Sequence, residues 1–289
     1  MNKQYKTLVD YINNLSLHNI KVTNDSSAWV EYPEFNFVYN KLWVAQSQEI
    51  ESAPLGVYPN KYPIIFKPII NLLGMSRGFK KINNEKEYIE NFKDGLFWEE
   101  YLEGEHNCID LIIVKGDIKF YSCLKSYQNG SGTFKYHESL PDFKLPEHLI
   151  FWIKSYLSEY TGALNLETIN GLIIECHLRL NGDFQLYDEN FVKSLDNFYK
   201  NKTWEIKNFF LKKIYLVPIF IKKEDTKHEI YKFINNSFKD LKKKLTYNSI
   251  LIDNIESLCQ SEHFSRVFMV ETNCINSLNK LLNFQNNLI

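Results

Sequence analysis

Trp98-Glu-Glu-Tyr-Leu-Glu-Gly-Glu-His-Asn-Cys-Ile-Asp110 is the stretch on which the fold of this 289-residue chain turns. Trp98, Tyr101 and Leu102 flank its acids as the apolar residues of a half-buried crossing strand, and a second apolar strand opens at Cys108. Further along, Ile173-Ile-Glu175-Cys-His177-Leu-Arg179 again sets acidic and metal-binding side chains at the edge of an apolar strand. Asn170-Gly171, a two-residue turn signal, lies just before it, so residues 164–169 and 172–178 are expected to form an antiparallel hairpin. Glu167 and Glu175 then fall on opposite arms and face one side, His177 and Arg179 keep that face by two-residue spacing, and Cys176 points into the core.

Two carboxylates on one face suit Mg2+, which prefers oxygen ligands and keeps several waters. The nitrogen of His177 is a softer donor and tolerates manganese or zinc better. Upstream, the strand expected at residues 62–67 ends in Lys67-Pro68, and Gly74-Met-Ser76-Arg-Gly78 comes after it. A strand-terminal ammonium beside permissive backbone is suited to phosphate oxygens. A Gly-x-Ser-x-Gly string also occurs in hydrolase elbows, but no strand leads directly into this one and no helix leaves it.

Phosphate segment, acidic hinge and metal hairpin in this order resemble the ATP-grasp family over roughly residues 33–190. The resemblance implies an α+β, two-lobe nucleotide-binding fold with a small C-terminal α/β domain. The implied division is an N-terminal helical segment at 1–32, a small lobe at 33–102, a large lobe with the metal hairpin at 103–195, and the C-terminal unit at 210–289. By the same resemblance, Lys41, Lys67, Gly74, Ser76 and Gly78 hold phosphates, and Glu99, Glu100, Tyr101 and Leu102 form the adenine hinge. His106 stands where the family commonly carries a ribose-binding Glu. Glu167, Glu175 and His177 hold Mg2+, with Mn2+ as the alternative, and His177 replaces the family's usual Asn. Arg179 and Lys67 are the catalytic cations, and Gly182 completes the pattern while Asp183 is unexplained.

The implied reaction is ATP-dependent ligation, in which a substrate carboxylate takes the γ-phosphate and an amine or similar nucleophile opens the acyl phosphate. Partners are then ATP, a small carboxylate, and an amine or a protein acceptor. Most such ligases begin with a separate acid-binding domain, whereas only some thirty residues precede the small lobe here. A small-molecule kinase on the same scaffold and a catalytically inactive nucleotide-binding scaffold are the alternatives.

Bulk properties agree with a small-molecule partner. Thirty-four basic against thirty-five acidic residues leave a net charge of −1, so no global field draws the chain to nucleic acid or an anionic membrane. The N-terminus lacks a signal-length apolar run, and no stretch has the length of a membrane span. Five widely spaced cysteines without a CxxC pair argue against a disulfide framework or zinc site and for a reducing cytoplasm.

Other elements are read from local signals. Helices are expected at 4–16, closed by the Asn-Asp-Ser-Ser turn at 24–27, and at 37–50 and 84–92. Strands are expected at 80–82, 97–102, 108–114 and 118–124, succeeded by a mobile loop at 125–146 and a helix at 146–160. A Lys- and Asn-rich connection at 195–213 precedes a tail of strand 214–221, helix 227–245, strands 250–252 and 266–271, and helix 275–284.

Overall fold

Asn24 opens a helix. In the computed structural model its side chain accepts from the Ser27 amide, and the Ser27 hydroxyl accepts from the Asn24 amide, a reciprocal cap on α1 (Asp25–Glu31). Such a cap is worth about 1 kcal/mol, which is why the Asn-Asp-Ser-Ser string starts an element here. The structure describes residues 22, 24–72, 78–129, 133–181, 189–205, 212–222, 243–247, 249–252, 259–260 and 264–288. The helix expected at 4–16 lies outside them.

A 3-10 helix (Pro33–Tyr39) comes after α1, and Asn40 then caps α2 (Lys41–Gln46) by accepting from the Trp43 amide. The single helix expected at 37–50 is therefore divided at Asn40. Next come β1 (Ser52–Pro54), β2 (Ile64–Pro68), β3 (Lys80–Ile82), α3 (Glu85–Glu90) and β4 (Leu96–Glu100), with the strands forming an antiparallel sheet in the order β1-β4-β2-β3. Ile64, Phe66, Ile82 and Trp98 of that sheet bury Tyr88 of α3, and this cluster is the core of the small lobe.

The larger lobe contains β5 (His106–Val114), β6 (Asp117–Gln128), β7 (Phe134–Ser139), α4 (Glu147–Tyr156), β8 (Gly162–Ile169), β9 (Leu172–His177) and α5 (Glu189–Asn201). The loop expected at 125–146 thus holds the end of β6 and all of β7. Phe134-Lys-Tyr-His-Glu-Ser139 pairs with β6 despite its polar residues because it lies inside a wide sheet that supplies neighbours on both sides. Likewise α5 covers the start of the expected connection at 195–213. Its Phe191, Leu195, Phe198 and Tyr199 recur at helical spacing and are buried.

The tail adds β10 (Tyr215–Lys222), β11 (Ser249–Ile252), β12 (Cys259–Gln260), β13 (Phe264–Thr272) and α6 (Ile275–Asn286). The helix expected at 227–245 falls outside the described residues except for its last three, which are not helical. Tyr215 and Leu216 pair with Glu138 and His137, so β10 continues the large sheet. Its strand order is β11-β13-β10-β7-β6-β5-β8-β9, with β12 also on β13. The architecture is α+β, two antiparallel sheets in two lobes with helices packed on them.

The two faces of the large sheet differ in chemistry. Ile109, Leu111, Leu164 and Leu166 point to Leu149, Trp152 and Ile153 of α4 and to the apolar stripe of α5, the largest core of the molecule. Residues of opposite parity, His106, Cys108 and Asp110 on β5 and Asn165 and Glu167 on β8, line the other face. That polar face is the floor of the candidate site.

Candidate functional site

The β8–β9 hairpin builds the floor from its turn upward. Asn170 and Gly171 have φ of 50° and 82°, left-handed at both central positions as the twist of a tight hairpin requires. The turn pairs Ile169 with Leu172 and Thr168 with Ile173, and a bulge between Glu167 and Thr168 then shifts the register by one residue, which sets Glu167 opposite Glu175 and Asn165 opposite His177. One ligand atom from each of Glu167, Glu175 and His177 then lies within 4.8 Å of the others. Ligands on an octahedral Mg2+ are about 3 Å apart when adjacent and about 4.2 Å when opposed, so the three donors are spaced somewhat more widely than around a bound cation. Cys176, between them in sequence, is buried in the main core as expected.

His177 is held from behind. Its Nδ1 lies 3.0 Å from Oδ1 of Asp25, while Nε2 faces Oε1 of Glu175 at 3.6 Å. Arg179 Nη2 donates to the other Asp25 oxygen at 2.8 Å. Burial would raise the Asp25 carboxyl, but the charges and hydrogen bonds of His177 and Arg179 hold it well below the usual carboxylate range. Asp25 also increases the affinity of the Arg179 guanidinium for its proton, against the opposing effect of burial.

From the small lobe and its approach come two lysines. Lys41, at the first position of α2, places Nζ 2.8 Å from Glu175 Oε1. Lys67, near the end of β2, places Nζ 2.6 Å from Glu99 Oε1 and donates to the carbonyl of Ile174 at 3.2 Å. It therefore reaches the backbone of β9 next to Glu175. Lys67 is 8% and Glu99 4% exposed. Burial lowers the Lys67 pKa and raises that of Glu99, each against the attraction of its partner.

His106 enters from β5. Nδ1 lies 3.0 Å from the Gln128 amide nitrogen, and Nε2 lies 3.4 Å from Glu167 Oε2. Burial would raise the Glu167 carboxyl, but the contact with His106, aided by the charges of His177 and Lys41, lowers it to about 2. The expected ribose residue thus sits beside Glu167, one of the expected metal ligands. Glu99, expected at the adenine hinge, turns its side chain to Lys67. Of the other hinge residues, Glu100 Oε2 meets Lys61 Nζ at 3.3 Å, Lys81 Nζ lies 3.6 Å above the Tyr101 ring, and Leu102 packs with Ile50 and Phe97. Gly74, Ser76, Gly182 and Asp183 lie outside the described residues, and Gly78 is placed just before β3.

The segment after β4 is fastened to the β8–β9 hairpin. Asn170 donates its amide to the Glu105 carbonyl at 2.8 Å, and a Cβ on Gly104, whose φ is 137°, would come within 2.9 Å of the Asn170 Cβ. Only glycine fits there.

No family model and no curated protein sequence matches the chain. Solved structures do. An L-amino acid ligase from Bacillus licheniformis aligns with a TM-score of 0.60 at 13% identity, covering 88% of this chain and 71% of that one. A carboxyaminoimidazole ribonucleotide synthase from Aspergillus clavatus, solved with ATP, gives 0.63 at 12% identity over 88% and 74%. An N5-carboxyaminoimidazole synthetase from Staphylococcus aureus, solved with ADP, gives 0.62 at 12% over 88% and 73%. The chain has the ATP-grasp fold.

Within that ATP-grasp frame, sequence reasoning named Lys41, Lys67, Glu99, His106, Glu167, Glu175, His177 and Arg179, and they form one connected cluster. It missed Asp25 and Gln128. The acidic Asn-Asp-Ser-Ser start of α1 was the available signal for Asp25, and nothing local marks Gln128. One buried atom of the cluster, Glu99 Oε2, has no hydrogen-bond partner among the described residues, and His106 Nε2 has only its 3.4 Å contact with Glu167. Such an atom costs about 1–3 kcal/mol until a ligand or water satisfies it. Oxygen and imidazole donors at this spacing, with lysines beside them, fit a divalent cation and a polyphosphate.

Proposed function

We propose that the chain binds ATP with Mg2+, or Mn2+, between its lobes and uses it to join a carboxylate to an amine or similar nucleophile. The observation that carries this reading is the reach of Lys67 from β2 to the Ile174 carbonyl, one residue from Glu175. It brings an ammonium of one lobe to the backbone beside an acid of the other, as a cation shared by phosphate and metal acids would need.

Lys41 and Lys67 would neutralise phosphate oxygens, and Arg179 would stabilise charge on the transferred phosphoryl group. Glu167, Glu175 and His177 would hold the metal, which when bound supplies charge neutralisation on the triphosphate. Glu99 Oε2, buried and without a partner among the described residues, is available to accept a hydrogen bond from the nucleotide. In the reaction a carboxylate oxygen attacks the γ-phosphorus and ADP leaves. The amine nitrogen then attacks the acyl carbon, phosphate departs and the amine gives up a proton. The protein contributes positioning and electrostatics with no covalent role.

The L-amino acid ligase likeness supports a small carboxylate as one substrate. Among the described residues no helix is long and apolar enough to cross a membrane. The buried free thiols Cys108, Cys123 and Cys176 agree with a reducing cytoplasmic setting.

The test is ADP release from the full chain against panels of carboxylates and amines, with product mass measured. ADP formation that requires both substrates and yields the amide mass is the expected result. Phosphorylated alcohol instead of amide would assign a kinase, and tight nucleotide binding without turnover would assign a scaffold.

A further inference from the structure

Asp25 is a 4%-exposed carboxylate on α1, outside both sheets, and three donors converge on it. His177 Nδ1 and the Tyr39 hydroxyl approach Oδ1 at 3.0 and 3.3 Å, and Arg179 Nη2 approaches Oδ2 at 2.8 Å. An ionised carboxylate only accepts, and Nδ1 lies nearer to Asp25 at 3.0 Å than to the donating Arg179 Nη2 at 3.5 Å, so this nitrogen carries the hydrogen. In the neutral imidazole this leaves a lone pair on Nε2, on the side of Glu175. Tyr39 restrains the ring further, packing edge-on at 6.3 Å between centroids.

We propose that Asp25 is a positioning residue that fixes the His177 tautomer, aims Nε2 at a divalent cation shared with Glu167 and Glu175, and thereby makes the site prefer Mn2+ to Mg2+. This rests on the metal assignment made under the proposed function. Mg2+ takes oxygen ligands almost exclusively, whereas imidazole is a good ligand for later divalent metals, and Mn2+ accepts both donor types. A carboxylate behind a ligating histidine raises its basicity, and loss of such a partner costs roughly 10–100-fold in metal affinity.

The experiment titrates the full chain with Mn2+ alone and Mg2+ alone, each also with a non-hydrolysable ATP analogue. It compares wild type, Asp25→Asn, His177→Asn and the double variant, and pulsed EPR of bound Mn2+ records coupling to nitrogen. The wild type should bind Mn2+ roughly tenfold or more tightly than Mg2+ and show imidazole nitrogen coupling. Asp25→Asn should lose about tenfold in Mn2+ affinity with little change for Mg2+, the scale expected when the carboxylate behind a ligating histidine is removed. His177→Asn should lose the coupling and the preference, and adding Asp25→Asn to it should change neither affinity further.

Unchanged Mn2+ affinity in a folded Asp25→Asn protein would overturn the proposal while leaving the metal site standing. An equal loss in both backgrounds would do the same, since Asp25 would then act on the fold and not through His177. Failure of the wild type to bind either metal, with or without the analogue, would sink the metal assignment itself. Should Asp25→Asn not fold, nitrogen NMR of the wild-type imidazole decides. A protonated Nδ1 with a bare Nε2 supports the proposal, and the reverse tautomer overturns it.

Discussion

Lys67→Met replaces a buried ammonium with an apolar chain of similar length, and its consequences can be worked from the geometry around Glu99. Lys67 Nζ is 2.6 Å from Glu99 Oε1, and Glu99 Oε2 already has no hydrogen-bond partner among the described residues. After the substitution, Glu99 is a buried carboxylate with no counter-charge at that position. Breaking a buried pair from one side costs about 3–5 kcal/mol. For a chain of this size that lowers the melting temperature by something on the order of 10 °C. The loss also depends on pH. Burial already raises the Glu99 pKa, and removing Lys67 takes away its largest opposing influence. A carboxyl whose folded pKa lies above its unfolded value binds its proton in the folded state. Its contribution is therefore present at low pH and is lost as pH rises through the folded pKa. The melting deficit of Lys67→Met should accordingly be smaller at pH 5 than at pH 8, and Lys67→Met/Glu99→Gln should recover most of it. Thermal unfolding of wild type, both single variants and the double variant at both pH values measures this, and calorimetry with a nucleotide analogue separates stability from binding. The double variant should fold yet bind the analogue at least roughly tenfold more weakly, through loss of the Lys67 contact to phosphate and weakening of the Glu99 contact. A deficit equal at both pH values and untouched by Glu99→Gln would refute the buried-pair argument. Wild-type analogue affinity in the double variant would refute the phosphate role of Lys67.

Three further outcomes are expected from the same geometry. Glu175→Gln should abolish metal-dependent turnover while the far-ultraviolet circular dichroism stays that of the folded chain, since the isosteric amide oxygen still accepts from Lys41 and keeps its place beside His177; full activity would remove it from the metal set. Gly104→Val, placed at φ 137° and against Asn170, should cost about 1–3 kcal/mol in urea unfolding, and a neutral result would mean that hinge and hairpin are not in contact. Asp25, whose folded pKa is depressed, contributes stability above its unfolded value near pH 4 that is lost as pH falls through the folded pKa. Acid unfolding of Asp25→Asn should therefore show a shallower slope below roughly pH 5 than the wild type.

What was legible in the sequence was legible because its cause is local. Asn170-Gly171 dictates a tight turn whatever surrounds it, but that turn by itself would set Glu167 across from Ile174, and a bulge after Glu167 that no local signal marks brings it across from Glu175. The ATP-grasp order of segments rested on motifs of the same local kind. By contrast, Asp25 meets His177 across 152 residues, and no spacing rule links them. The Asn-Asp-Ser-Ser string was legible as polar backbone chemistry, but capping and turn formation use the same residue types, and the choice of a helix start depends on what α1 packs against. Phe134–Ser139 and Glu189–Asn201 were hidden by the Lys, Ser and Asn interleaved with their apolar residues. In α5 the signal existed at Phe191, Leu195 and Phe198, whereas β7 owes its strand to partners on both sides. The side-chain direction of Glu99 was equally non-local, because it turns on Lys67 in the neighbouring strand.

The most direct test is calorimetric titration of the purified chain with a non-hydrolysable ATP analogue, with and without Mg2+ or Mn2+. Lys41, Lys67 and the Glu167, Glu175 and His177 cluster predict binding that strengthens at least roughly tenfold when the metal is present, the equivalent of about 1.4 kcal/mol. Absence of binding under every condition would contradict the account, leaving the ATP-grasp fold without the ligand assigned to it.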